Sequence, residues 1–145
     1  MTAAALQAEL LQRVCLGNAE AIGFLRCWGV YVHGIDDIVD TRTDTEFRLK
    51  VFVAGMDVFT HPFFLRHGAA LRVLILNTTN AYADTERWAK SSVKWQREFA
   101  ELYRHFAAEM ILAVAGIVGG YEHLRAISPE VRAFHWSQHF EEVAR

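Results

Sequence analysis

The sequence predicts an all-α fold, a single-domain bundle of about five to seven helices over residues 1–145. Hydrophobic residues make up 52% of the chain, and for most of its length they recur at every third or fourth position. That spacing is typical of amphipathic helices and not of strands. Only 2 residues are proline, so few positions interrupt a helix.

The first two helices are predicted from their ends. A helix over Thr2–Cys15 is expected to end near Gly17, because glycine commonly follows the last helical residue. Asn18 then has the side chain of an N-cap, and the apolar residues of Ala19–Asp40 repeat at helical spacing. We therefore expect a long second helix over this range.

The starts of two further helices are predicted in the middle of the chain. Thr43 and Glu46 have the spacing of a capping box, which predicts a third helix that extends to Phe59. Pro62 is favoured as a first helical residue, and Gly68 is expected to end that short helix before a longer one begins.

In the second half of the chain, three more helical segments are predicted. Residues 69–119 contain no strong breaker, but one rod of this length is unusual in a globular domain, so we place a break near Lys90–Ser92. Gly119–Gly120 is expected to end the next helix. Ser128–Val143 is predicted as the last helix, with Ser128 as N-cap and Pro129 as first residue.

Charge and composition exclude several function classes. The formal net charge is −2, from 15 Lys and Arg against 17 Asp and Glu, and no basic block is present, so nucleic acid is not the expected partner. No uninterrupted apolar run reaches the roughly 20 residues that span a bilayer. We expect a cytoplasmic protein, in the host cytoplasm if the gene is viral, with Cys15 and Cys27 as buried thiols.

An acidic cluster at the end of the second predicted helix is the main candidate site. At about 100° per residue, His33, Asp36, Asp37 and Asp40 share one sector of the helix. Carboxylates this close repel each other, most of all at the negative end of a helix dipole. The three aspartates are therefore candidate ligands for a divalent cation such as Mg²⁺, and pairing with Arg or Lys is the alternative.

A second polar face is predicted downstream. Asn77, Asn80 and Asp84 lie within roughly 60° of each other on a helix that begins almost wholly apolar. Embedded amides require hydrogen-bond partners, and the acidic cluster is the candidate partner. Arg87 begins a group of cations that would balance a bound diphosphate or nucleotide. An ordinary polar edge is the other interpretation of this face.

The next helix carries an acidic pair and an aromatic stripe. Glu98 and Glu101 form a Glu-x-x-Glu pair for which we expect a surface position. The buried side of the helix is predicted to be its apolar stripe, formed by Trp95, Phe99, Leu102 and Phe106.

Four segments together resemble a family of small uncharacterised helical proteins of tailed bacteriophages, and the resemblance covers about Ala19 to Phe134. The segments are Val32-His33-Gly34-Ile35-Asp36-Asp37-Ile38-Val39-Asp40, Leu76-Asn77-Thr78-Thr79-Asn80-Ala81, Ile117-Val118-Gly119-Gly120 and Ser128-Pro129-Glu130-Val131-Arg132. This resemblance implies a phage origin and no established activity.

The Asp-Asp-x-x-Asp element of the acidic cluster also resembles the first aspartate-rich motif of isoprenoid synthases, and residues 115–119 resemble a segment of squalene and phytoene synthases. The resemblance implies that Asp36, Asp37 and Asp40 bind diphosphate through Mg²⁺. The chain is much shorter than those enzymes and lacks their second aspartate-rich motif.

Two functions remain open from the sequence. One is a small phage-type accessory or interaction protein, for which an aromatic content of 12% suits a homo-oligomer or protein interface. The other is a Mg²⁺-dependent enzyme acting on a diphosphate or nucleotide, similar to the isoprenoid synthases or to the all-α pyrophosphohydrolases.

Overall fold

The computed structural model describes the backbone of residues 3–40, 44–103 and 107–143, and the side chains of 4–40, 44–103 and 108–135. These residues form six helices and no strand, which confirms the predicted all-α bundle. The helices are α1 (Ala3–Val14), α2 (Ala19–Asp40), α3 (Thr45–Phe59), α4 (Pro62–Trp88), α5 (Lys94–Tyr103) and α6 (Ala107–Val143). They form two compact units, residues 1–68 and 69–145, with the boundary inside α4. The assignment of residues 1–145 to one domain stays a prediction.

The turn between α1 and α2 closes as the sequence predicts. Leu16 and Gly17 have φ values of 50° and 74°, and the Gly17 amide donates to the Gln12 carbonyl at 3.0 Å. This is the Schellman arrangement, in which the carbonyls of the last helical turn accept hydrogen bonds. Asn18 Oδ1 accepts a hydrogen bond from the Ala21 amide at 3.0 Å and so caps α2.

Helices α2 and α3 pack antiparallel across a close contact. A Cβ added to Gly34 would lie 2.7 Å from Val51 Cγ2, and one added to Gly55 would lie 3.0 Å from Tyr31 Cε2. Glycine at these two positions lets the two helix backbones approach each other. In the same unit, Phe24 of α2 stacks on Phe63 of α4 with ring centroids 5.4 Å apart. This contact joins a third helix to the core of the unit.

Three predicted helix boundaries require correction. The N-cap of α3 is Asp44, whose Oδ1 accepts from the Phe47 amide at 2.8 Å, while Thr43, the predicted N-cap, lies outside the described residues. Helix α4 continues through Gly68, because one glycine costs a helix only about 1 kcal/mol. Pro129 lies inside α6 and does not begin a new helix, since the buried neighbours Ile127 and Val131 hold the surrounding turns in place.

Two predicted breaks in the second unit are confirmed. Residues 89–93 separate α4 from α5, and the Arg97 guanidinium donates to the Ser91 carbonyl at 2.7 Å to close this turn. Gly120 interrupts α6 with φ 74° and ψ −174°. The chain reverses there, because Glu109 Oε1 lies 2.7 Å from Arg132 Nη1, so α6 is a hairpin of two helical arms.

Candidate functional site

The acidic cluster lies on the outer side of α2. Gly34 contacts Val51 of α3, and the side chains of His33, Asp36, Asp37 and Asp40 are all exposed. The cluster occupies the last two turns of α2, where the unpaired carbonyls of the helix end carry partial negative charge. The four side chains lie in one sector of a regular helix, and that sector is exposed.

The same face lacks the geometry of a preformed metal site. Within the described side chains, no group of three or more His, Cys, Asp or Glu is arranged to hold a metal ion. Asp36 and Asp40 are one helical turn apart, and Asp37 projects roughly 100° away from Asp36, so a single ion meets few of these oxygens at once. Mg²⁺ often binds through one or two carboxylates and water, and the predicted Mg²⁺ site stays a prediction.

The polar face on α4 differs from its prediction in one respect. Asn77 and Asn80 are exposed, so the prediction that these amides are embedded was wrong, and their exposure agrees with the other interpretation, an ordinary polar edge. Asn80 Nδ2 donates to Asp84 Oδ2 at 3.4 Å, one turn along the same helix. The predicted contact between this polar face and the acidic cluster of α2 stays a prediction, because Asp84 belongs to the second unit and Asp36 to the first.

The residues that α4 buries in this region are threonines. Thr78 and Thr85 are 8% and 1% exposed. Their hydroxyls donate to carbonyls of their own helix, Thr78 to Leu74 at 2.9 Å and Thr85 to Tyr82 at 2.8 Å. Because threonine satisfies its hydroxyl within the helix, it can face inward where asparagine cannot.

The downstream cations and acids have surface positions. Arg87 is exposed in the last turn of α4. Lys94 Nζ lies 3.3 Å from Glu98 Oε1, an exposed pair on α5. Glu98 and Glu101 are both exposed, which confirms the surface role predicted for them.

The aromatic stripe of α5 is exposed, and the prediction that it is the buried side was wrong. Trp95, Phe99 and Leu102 are 58%, 41% and 56% exposed, while Ala100 is buried, and Phe106 lies outside the described residues. A helix of 10 residues offers a short contact surface, and here the small alanine faces inward.

Helix α3 carries a larger exposed apolar surface that the sequence analysis missed. Its buried residues are Val51, Gly55 and Val58, which lie towards α2 or the core. Five exposed apolar side chains on the remaining surface of the helix are here named the α3 stripe: Leu49 (60%), Phe52 (66%), Val53 (57%), Met56 (48%) and Phe59 (36%). Phe59 lies at one edge of the stripe and also contacts Tyr31 of α2 and Phe64 of α4, with ring centroids 5.7 Å and 5.4 Å apart. At about 100° per residue, the centre of the stripe lies roughly 130° from the centre of the buried residues.

The signal for the α3 stripe is present in the sequence. Positions 49, 52, 53 and 56 repeat at i, i+3, i+4 and i+7, and positions 51 and 58 form a second apolar set on the other side. A helix that is apolar all round is normally buried on all sides. Helix α3 is not apolar all round, since Arg48, Lys50 and Asp57 separate its two apolar sides, and only one of these sides is buried.

One segment of α6 has the length and composition of a membrane span. It contains polar residues, so it is not an uninterrupted apolar run. It covers residues 108–135, and 28% of its most apolar 18-residue stretch is buried. The break at Gly120 divides it, and the arm from Ala107 to Gly120 is only about 20 Å long, against the roughly 30 Å of a bilayer core. The segment is therefore not one straight rod.

Comparisons with protein families, with curated proteins and with solved structures give no match to this chain.

Proposed function

We propose that this chain is a small helical interaction protein that binds a protein surface through the α3 stripe. The observation that carries the proposal is the presence of two apolar sides on α3, centred about 130° apart, one packed within the first unit and one exposed. Val51 and Val58 stabilise the fold, whereas Phe52 and Met56 contribute nothing to that core. Exposed apolar residues of this number and regular spacing mark an interaction site.

The size of the stripe supports the proposal. Its five side chains expose on the order of 500 Å² of apolar surface, since a fully exposed side chain of this size presents roughly 150–250 Å². The largest apolar patch on a typical monomer is about 300–600 Å² and is often functional. The stripe therefore lies in the upper part of that range although it comes from one helix.

An accessory protein of tailed phages, acting in the cytoplasm of the bacterial host, is the biological setting that we propose for this interaction. The four segments that resemble such proteins support it. The hairpin at Gly120 supports a cytoplasmic position, because it divides the apolar segment 108–135 into two pieces of about 20 Å each, shorter than the roughly 30 Å of a bilayer core.

Photo-cross-linking in bacterial cells tests the proposed interaction. A photoreactive phenylalanine analogue replaces Phe52 in one version of the full chain and Gln7, an exposed residue of α1, in a control. Irradiation is expected to give discrete cross-linked species from position 52 and none from position 7. No adduct at position 52, or the same adducts at both positions, would overturn the proposal.

A second candidate function is Mg²⁺-assisted chemistry on a diphosphate or nucleotide. The exposure of Asp36, Asp37 and Asp40 on one side of α2 favours it, because an ion can approach each of these carboxylates from solvent and Mg²⁺ often binds through one or two of them and water. In this reaction the ion would neutralise developing phosphate charge and His33 would orient a carboxylate or relay a proton.

A further inference from the structure

We propose that the partner at the α3 stripe is a second copy of this chain, whose α3 lies antiparallel across the first about a two-fold axis. This inference rests on the proposed function and adds the identity and orientation of the partner. In this pairing Phe52 lies opposite Met56 of the second copy, and Leu49 lies opposite Phe59 of the second copy.

The area of the stripe matches what a dimer of standard size requires. Such an interface buries about 800 Å² on each partner, and homodimer interfaces are about 65% apolar, so about 500 Å² of apolar surface is needed per copy. The α3 stripe exposes on the order of that area. The rest of the roughly 800 Å² per copy would come from the charged residues along the edges of the stripe.

The charges at one edge of the stripe are self-complementary. Lys50 and Asp57 lie on the same side of α3, roughly 100° and 80° from Leu49. Lys50 Nζ is 2.7 Å from Glu46 Oε1, an exposed pair that follows this edge of the helix. A two-fold axis perpendicular to two antiparallel helices places each edge against the same edge of the partner. Lys50 then faces Asp57 of the second copy, and Asp57 faces Lys50.

The register of these charges agrees with the register of the apolar contacts. The midpoint between positions 50 and 57 falls between Val53 and Ala54, and the midpoint of the stripe from Leu49 to Phe59 falls at Ala54. One axis position therefore aligns the apolar residues and both ion pairs. The antiparallel arrangement also opposes the two helix dipoles.

A parallel pairing fits the same residues less well. It places each edge against the opposite edge of the partner, so Lys50 would lie beside Arg48 of the second copy. Asp57 would then face the part of that edge that carries Gly55 and Phe59, about two turns beyond Arg48, where α3 has no cation at the level of Asp57. The charge pattern therefore favours the antiparallel arrangement.

Sedimentation velocity and light scattering on the purified full chain test the existence of the dimer. The wild-type chain is expected to change from monomer to dimer over micromolar concentrations. Phe52→Glu is expected to raise the dissociation constant more than ~100-fold, because a charge replaces a central aromatic contact. Val30→Glu is the matched control, since Val30 is 65% exposed on α2, which packs on the side of α3 away from the stripe.

Far-UV circular dichroism and thermal unfolding show whether each variant is folded. Both residues are exposed, so each variant is expected to keep the helical content of the wild type. A wild-type chain that stays monomeric at all concentrations would overturn the inference, as would a dimer that Phe52→Glu leaves intact.

A charge exchange tests the orientation. Lys50→Asp and Asp57→Lys each place like charges opposite each other, and the two-fold axis applies each change twice, so each is expected to raise the dissociation constant roughly tenfold. The double variant restores opposite charges and is expected to recover wild-type association. A double variant as weak as the single variants would overturn the antiparallel pairing.

The two proposals fail separately. A purified chain that is monomeric, together with cross-links from position 52 to a different protein in cells, would overturn the second-copy inference and leave the interaction function standing. An absence of cross-links at position 52 together with a monomeric chain would overturn both.

Discussion

Glu109 and Arg132 are 23 residues apart in the chain, yet Glu109 Oε1 and Arg132 Nη1 lie 2.7 Å apart. The two side chains are 41% and 49% exposed, so the ion pair itself contributes little to stability. The reversal at Gly120 brings them together, and buried residues on both arms, such as Met110 and Val131, hold the arms in contact.

The left-handed backbone at Gly120 predicts a cost for any side chain at that position. Gly120→Ala is expected to lower the free energy of unfolding by about 1–2 kcal/mol, because an L-residue is strained at φ 74°. Gly29→Ala is the control, since Gly29 is helical and a Cβ there meets no atom within 4 Å. The control is expected to stabilise by about 0.5–1 kcal/mol. Urea unfolding measures both, and equal effects would contradict the assignment of the turn.

The contact between Gly34 and Val51 predicts a specific coupling between α2 and α3. Gly34→Ala is expected to lower the free energy of unfolding by about 1–3 kcal/mol, because its Cβ would lie 2.7 Å from Val51 Cγ2. Val51→Ala removes the colliding methyl groups, so the double variant is expected to be more stable than the sum of the two single changes predicts. Additive effects in chemical denaturation would show that the helices do not approach at this point.

Burial raises the pKa of the Cys15 thiol to about 11. A thiol whose folded pKa exceeds its unfolded value contributes stability that is complete below the unfolded pKa of 9.0 and is lost as the pH rises towards about 11. Unfolding midpoints are therefore expected to fall across this range in the wild-type chain and to fall less in Cys15→Ala.

The same burial predicts a difference in thiol reactivity. At pH 8 about 100-fold less thiolate is expected at Cys15 than at an ordinary thiol that titrates two units lower, in addition to the steric protection. Cys27 is half-buried and is expected to react first with a thiol reagent. Mass spectrometry after limited alkylation identifies the site, and prior labelling of Cys15 would contradict its burial.

The acidic cluster makes a prediction that depends on added metal. Without divalent ions, Asp40→Asn is expected to stabilise the chain by about 0.3–1 kcal/mol, because it removes a negative charge from the end of α2. With Mg²⁺ in excess, the wild-type chain is expected to gain thermal stability and Asp36→Asn/Asp40→Asn to gain none, since a ligand that binds only the folded state stabilises it. Glu122→Gln, an exposed change on α6, is the control. An equal response of all three to Mg²⁺ and EDTA would exclude the metal site.

The sequence predicted the helical architecture well where several local signals agree. Asn18 and the apolar repeat together predicted the bounds of α2, which the structure has at Ala19 and Asp40. Gly119–Gly120 also predicted the break in α6. Predictions that relied on a single residue were weaker. A glycine or a proline can end a helix or lie within one, and Gly68 and Pro129 both lie within helices.

The side of a helix that is buried was harder to predict than the helix itself. The apolar repeat of α5 predicted Trp95 and Phe99 as core residues, but both are exposed. The embedded position expected for Asn77 and Asn80 is taken instead by Thr78 and Thr85. Periodicity identifies an apolar face, but which face meets another element depends on long-range packing. For the same reason the sequence analysis missed the α3 stripe.

The connection between α2 and α3 spans only residues 41–44, so the contacts between these helices join residues that are close in the chain. Closing such a short loop costs little entropy, and folds rich in local contacts form rapidly. We expect this helical pair to form soon after Phe59 has left the ribosome, before α6 is complete. The α3 stripe would then be available on the nascent chain, and association could begin during translation on neighbouring ribosomes.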